Sequence, residues 1–413
     1  MKNKNLWVDL SILNLCIVAF LGFTLRSKMI FALPWINYLY LLDAHSHFAF
    51  EGWITLALML LLVQELLPVP FTKRSIYQGS YCALVLSAYG IFLTMLFNNN
   101  SFLAGFFPSL FILVTYIFGW MFLDDIRKSP VNKTTFLLSV SAIISLVVSS
   151  AGPFTLMWLH ATKSMNATLY RDASYFYLHL LYNGFFSLTV FALLFNKLYP
   201  KISKKTQQNF HLFAILICLS IFPSLFLSFL WQDPNHLFHI MALTGSILIF
   251  LSVGWFILSA LPLLKYSTMG LSPVRYILIL SIGAFILKMF LQGLTIFPVL
   301  GNAVFGDRPV IIGYLHLIFL GFVTPFILAY YLQKDLLNIK IKLTVYGIIV
   351  LMAGVACNEI TLLLQGLGAM FLKGSVVYSW LLWVISICLM IGAILIFTAR
   401  IKSRVHFQVM EKA

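Results

Sequence analysis

Long apolar runs broken by short polar stretches dominate the 413-residue chain. A helix needs about 18 or more largely apolar residues to cross the hydrocarbon core of a bilayer. Runs of that length predict twelve spans, at approximately 8–24, 44–67, 76–97, 101–123, 134–158, 174–195, 210–230, 236–261, 275–298, 311–332, 343–364 and 376–399. No connecting stretch is long enough for a soluble domain. The expectation is therefore an all-α, polytopic membrane bundle, one twelve-helix domain over 1–413 with a short basic tail at 400–413. The longest connections on one side are 26–43, where Trp35, Tyr38 and Tyr40 suit headgroup depth, and 160–173. No exact internal repeat is evident, although spans that start on that side tend to open with histidine.

Composition strengthens this picture. Hydrophobic residues make up 61% of the chain and charged residues 9%, with mean hydropathy +0.98. Soluble domains carry about 25% charged residues, so a soluble enzyme, a secreted disulfide scaffold and a disordered chain are excluded. The net charge of +15 would suit nucleic acid if it were clustered, but it is distributed by side of the membrane. With the N-terminus inside, 20 Lys and Arg fall on the inner side and six on the outer, with Lys288 alone within a span. That asymmetry predicts both termini inside and no nucleic-acid partner. The run from Val8 is followed by no A-x-A-like site, so it reads as a first membrane helix. Short loops and strong charge bias fit a bacterial inner membrane. The five cysteines are isolated within spans, with no C-x-x-C or C-x-x-C-H motif.

Ionisable groups in a bilayer are costly, so each is a functional candidate. His45 and His47 open span 2 in DAHSHFAFEGW, and His179 lies early in span 6 in YFYLHLLYNGFF. His236 and His239 open span 8, and His316 lies early in span 10. All six sit in the first part of spans that run from outside to inside, which predicts a shared layer and a shared ligand site. On a helix, positions i and i+2 differ by about 200°, so His45 and His47 face opposite ways and can serve two centres. Positions i and i+3 share a face, so His236 and His239 suit one ion. Imidazole is an axial ligand to haem iron and also suits copper, iron or zinc. Glu51 stands one turn from His47, able to orient that ring or relay protons. Lys288 and Glu359 stand in later spans, either paired with each other or on a proton route.

HSHFAFEGW resembles the H-x-H-x-A-x-x-G-W segment of haem–copper oxidase subunit I and of nitric oxide reductase large subunits. The His-x-His opening of span 2 is also similar to NnrS-like membrane proteins. The resemblance implies haem, one or two groups, with copper or non-haem iron beside it. Carried onto this chain, it implies His47 and His316 as a bis-histidine pair and His45 as the proximal ligand of a second haem. It implies His179, His236 and His239 as ligands of the non-haem metal. Glu51 and Tyr182 stand beside these as the candidate catalytic residues, although Tyr182 follows His179 by three residues where the oxidases' cross-linked tyrosine follows by four. The family places a single histidine in helix 2 and His-x-His in helix 10, the reverse of this chain. His236-x-x-His239 stands where the family has adjacent histidines.

The function this implies is a haem-binding membrane protein, an oxidoreductase that reduces or handles O2 or NO with electrons from a donor such as quinol or cytochrome c. Two alternatives stand beside it: a non-catalytic haem or nitric-oxide sensor or tolerance protein, and a secondary transporter using Lys288 and Glu359.

Overall fold

The structure is a computed structural model that describes residues 2–97, 102–232, 235–266, 273–371 and 374–410. Among these residues, twelve helices are long and apolar enough to cross a membrane, and there is no strand. They are α1 (Asn5–Ile30), α2 (Tyr38–Leu66), α3 (Ser75–Phe97), α4 (Phe102–Arg127), α5 (Lys133–Ala161) and α6 (Ala167–Lys201). The second half comprises α7 (Lys204–Gln232), α8 (His236–Leu261), α9 (Pro273–Leu294), α10 (Arg308–Gln333), α11 (Lys342–Met370) and α12 (Val376–Arg404). The protein is a polytopic, all-α membrane protein.

Most helices extend past the apolar run that announces them, which shortens the connections. The expected stretch 26–43 reduces to 31–37, because α1 continues to Ile30 and Asn37 starts α2. The Asn37 side-chain oxygen accepts from the backbone N–H of Leu39 at 2.9 Å and of Tyr40 at 3.3 Å. Asn166 starts α6 in the same way through the N–H of Leu169, 2.9 Å away. Each cap satisfies donors that the first turn leaves orphaned.

Neighbours in sequence are largely neighbours in the bundle, and α1 packs against α12 to close the circuit. Helices α2 and α6 lie at the centre: 89% of the most apolar stretch of each is buried, against 33% for α4 and α12. The second half of α10, Thr324–Leu332, is buried throughout and completes the core. An even number of crossings puts both ends of the chain on one face of the bundle. At that terminal face Arg400 of α12 donates to Asp9 of α1 (2.8 Å), to Asn5 (2.8 Å) and to the Leu336 carbonyl (2.6 Å). Arg404 pairs with Asp9 as well.

The central helices share a local departure from α geometry. A π-helical segment follows His47 (Phe48–Thr55), His179 (Leu180–Phe186) and His316 (Leu317–Val323). The wider turn displaces backbone carbonyls from their usual partners, and side chains take them up. Asn14 of α1 donates to the Gly52 carbonyl at 2.6 Å, Ser187 to the Tyr182 carbonyl at 2.6 Å, and Ser281 of α9 to the Phe322 carbonyl at 2.7 Å. Such segments are frequent at functional sites.

Candidate functional site

The three π segments expose a repeat that the apolar pattern conceals. His47, His179 and His316 each begin the motif H-x-x-[FY]-x-G-[FW]: HFAFEGW, HLLYNGF and HLIFLGF. It recurs on every fourth helix, a degenerate repeat rather than an exact one. The aromatic three positions after each histidine points to the shared centre. Phe50 and Phe319 lie with centroids 4.6 Å apart, and Tyr182 and Phe319 with centroids 6.4 Å apart. In two of the three the glycine permits close approach of a different neighbouring helix. A Cβ on Gly184 would fall 2.2 Å from the Ser145 Cβ, and one on Gly321 3.3 Å from the Ala284 Cβ.

The three histidines nonetheless have different surroundings. His316 Nδ1 lies 2.8 Å from the Ile312 carbonyl, one turn earlier. That contact requires the proton on Nδ1 and leaves the Nε2 lone pair available, the arrangement typical of a metal-binding imidazole. His47 Nδ1 lies 3.0 Å from Glu51 Oε1, while Glu51 Oε2 is buried without a hydrogen-bond partner. His179 is fully buried with both ring nitrogens engaged: Nε2 with the Ile221 carbonyl at 2.9 Å, Nδ1 with the Asn183 amide at 3.1 Å.

A cavity of about 190 Å³ lies among α1, α2, α10, α11 and α12, lined by both His45 and His316. One water needs roughly 10–15 Å³ by this measure, so the space far exceeds a structural water site. Its walls are mainly apolar and aromatic, including Leu15, Val18, Phe23, Phe50, Trp53 and Phe319, with Arg26 and Asn358 as polar contributors. His45 and His316 are close enough to interact electrostatically. The His45 ring lies beside the Val18 carbonyl and over Gly22, where an added Cβ would sit 3.3 Å from its Cε1. His45 Nδ1 is buried without a hydrogen bond of good geometry. Among the described residues no carboxylate pairs with Arg26, whose side chain donates to Met29 Sδ at 3.9 Å.

The sequence-derived candidates therefore separate. His45 and His316 share the cavity, and His47, expected opposite His316, turns away from it toward Glu51. His236 and His239 stand exposed at the start of α8 while His179 is sealed in the core. Among the described residues, no group of three His, Cys, Asp or Glu is arranged to hold a metal ion. The expected His179–His236–His239 ligand set does not assemble, and the single histidine layer resolves into buried and surface members. Tyr182 lies over a lysine, its ring centroid 5.1 Å from Lys288 Nζ. Lys288 donates to Asn183 and Glu359 accepts from Asn358, so these two charges do not pair with each other.

Sequence reasoning missed Arg26, Gly22 and the glycine and aromatic positions of the repeat. The repeat was present in the sequence; the roles of Arg26 and Gly22 depend on how α1 crosses α2. Compared with known proteins, the sequence matches no family model and no curated protein.

Proposed function

We propose that the chain is a haem-binding integral membrane protein in which His45 and His316 hold one haem within the α1–α2–α10–α11–α12 cavity. The observation that carries this reading is the presence of two imidazoles, from different helices, on the walls of one large apolar cavity. His316 supports it further, since its Nδ1 contact with Ile312 leaves Nε2 free to ligate. Arg26, with no acidic partner among the described residues, would supply positive charge for the carboxylates a haem carries. Gly22 gives the His45 ring room against α1. A bound haem would supply one-electron redox chemistry. If His45 and His316 both hold the haem, electron transfer from a donor such as quinol or cytochrome c would suit the site better than reduction of O2 or NO.

The non-haem copper or iron is not carried into this proposal, because its expected ligands lie apart. The charge asymmetry supports placing the terminal face inside a bacterial inner membrane, with the haem cavity toward the opposite side. The test is a visible spectrum of the purified protein after expression with ample haem. A Soret band with the sharp, low-spin bands of bis-histidine ligation is expected in the reduced state. Protein that folds in the membrane and shows no Soret band would overturn the reading.

A further inference from the structure

A second cavity, of about 60 Å³, lies on the other side of α10 and is walled in part by Tyr182, Ser228, Gln292, Thr295 and Tyr314. Leu315, adjacent to His316, lines both cavities. Behind the Tyr182 ring sits Lys288, fully buried in the middle of α9. Its Nζ donates to Asn183 Oδ1 and approaches Met289 Sδ at 3.2 Å. Among the described residues no Asp or Glu forms an ion pair with it. A buried ammonium is costly unless negative charge or oriented dipoles offset it. One amide oxygen and one aromatic face offset it in part.

The cavity wall is chemically complementary to what is missing. Among the described residues no carboxylate lines it. Gln292 gives its carbonyl oxygen to the Tyr314 hydroxyl at 3.2 Å, which leaves its NH₂ to donate. The Ser228 hydroxyl adds a further donor. The Tyr182 and Tyr314 rings meet edge to face, centroids 6.0 Å apart, and so hold their phenols on this wall. Donors facing a small, mostly apolar space favour negative charge, and an anion there would hold the Lys288 amine behind the wall in its protonated form. The volume is about that of a few waters, which limits the occupant to a small ion.

We propose that this cavity binds a small monovalent oxyanion of the size of formate or nitrate, with Lys288 supplying the charge and Gln292, Ser228 and the Tyr182 hydroxyl the hydrogen bonds. The site lies apart from His45 and His316, and its test requires no haem. Full-length protein in nanodiscs of zwitterionic lipid is titrated with formate by calorimetry, and nitrate is then used as competitor. Saturable binding near one equivalent, displaced by nitrate, is expected. Lys288→Met should weaken it at least tenfold, and Ser228→Leu, which fills the cavity without touching Lys288, should abolish it. Absence of saturable binding to the wild-type protein overturns the proposal, as does unchanged affinity in Lys288→Met. Where Lys288→Met does not fold, Ser228→Leu decides: loss of binding supports the site and retention overturns it.

Discussion

Three of the bundle's histidines begin the same seven-residue motif, yet the partners of their ring nitrogens assign them different work. His179 spends both nitrogens on hydrogen bonds within the core, whereas His316 commits Nδ1 and keeps Nε2. On the haem site proposed above, ligation at the His45–His316 cavity should therefore respond to His316→Ala and not to His179→Asn. The first substitution is expected to abolish the low-spin bis-histidine spectrum, and the second to leave it in place on a less stable protein. Reduced-minus-oxidised spectra of equal amounts of folded protein make the comparison; an unchanged spectrum in His316→Ala would remove that residue from the axial pair. Steric demands differ from one glycine to another as well. At Gly184 a methyl group would collide with Ser145, while at Gly283 nothing lies within 4 Å of the added Cβ. Gly184→Ala should cost about 1–3 kcal/mol through overpacking. Gly283→Ala should be neutral or stabilising, because alanine is the better helix former. Thermal unfolding in detergent distinguishes the two, with a lowered Tm expected only for the first.

At the scale of the helix, the π segments explain why polar residues stand at particular places on neighbouring spans. Hydrocarbon offers no alternative partner for a carbonyl freed by the wider turn, so protein side chains must supply one. Asn14 does so for Gly52 from another helix, and its own side-chain oxygen accepts from the Tyr89 hydroxyl at 2.8 Å. Asn14→Leu should leave the Gly52 carbonyl without that partner and cost about 1–3 kcal/mol. Because the same π segment follows His47 and contains Phe50, a wall residue of the larger cavity, haem retention should also fall. Thermal melting and haem-to-protein ratio, measured on one preparation, check both effects. A lowered Tm with full haem content would confine Asn14 to a role in stability.

At the scale of the molecule, closure of the helical circuit depends on the contact between the first and last spans. Asp9 and Arg400 are both nearly inaccessible, and Arg400 also donates to Asn5 and to the Leu336 carbonyl. Removing one partner of a buried ion pair typically costs about 3–5 kcal/mol, and Arg404, which also pairs with Asp9, should keep the loss toward the lower end of that range. Arg400→Met should accordingly lower the Tm and increase proteolysis near the chain ends, whereas Lys128→Met, at an exposed pair with Asp124, should do neither. The direction of insertion is a separate matter. Reporter fusions are expected to place both termini inside and Lys163 outside, following the distribution of Lys and Arg. A C-terminal reporter active on the outside would reverse the assignment.

Twelve spans and an all-α class were legible in the sequence because hydrocarbon imposes a local rule: each crossing segment must be long, apolar and hydrogen-bonded within itself. That rule acts on contiguous residues, so a reading of runs suffices. The H-x-x-[FY]-x-G-[FW] repeat was equally local but hidden among apolar residues, and the π segments made it conspicuous. Which histidines meet was decided by helix packing. His45 and His47 are two residues apart and face different neighbours, so the partner of His316 depended on where α1, α2 and α10 cross. His236 and His239 shared a helical face as their spacing requires, but that face lay at the exposed start of α8. Arg26, Gly22 and Lys288 likewise acquired their surroundings from other helices. Burial and contact between such residues are set by the assembled bundle, which the period of a single helix does not encode.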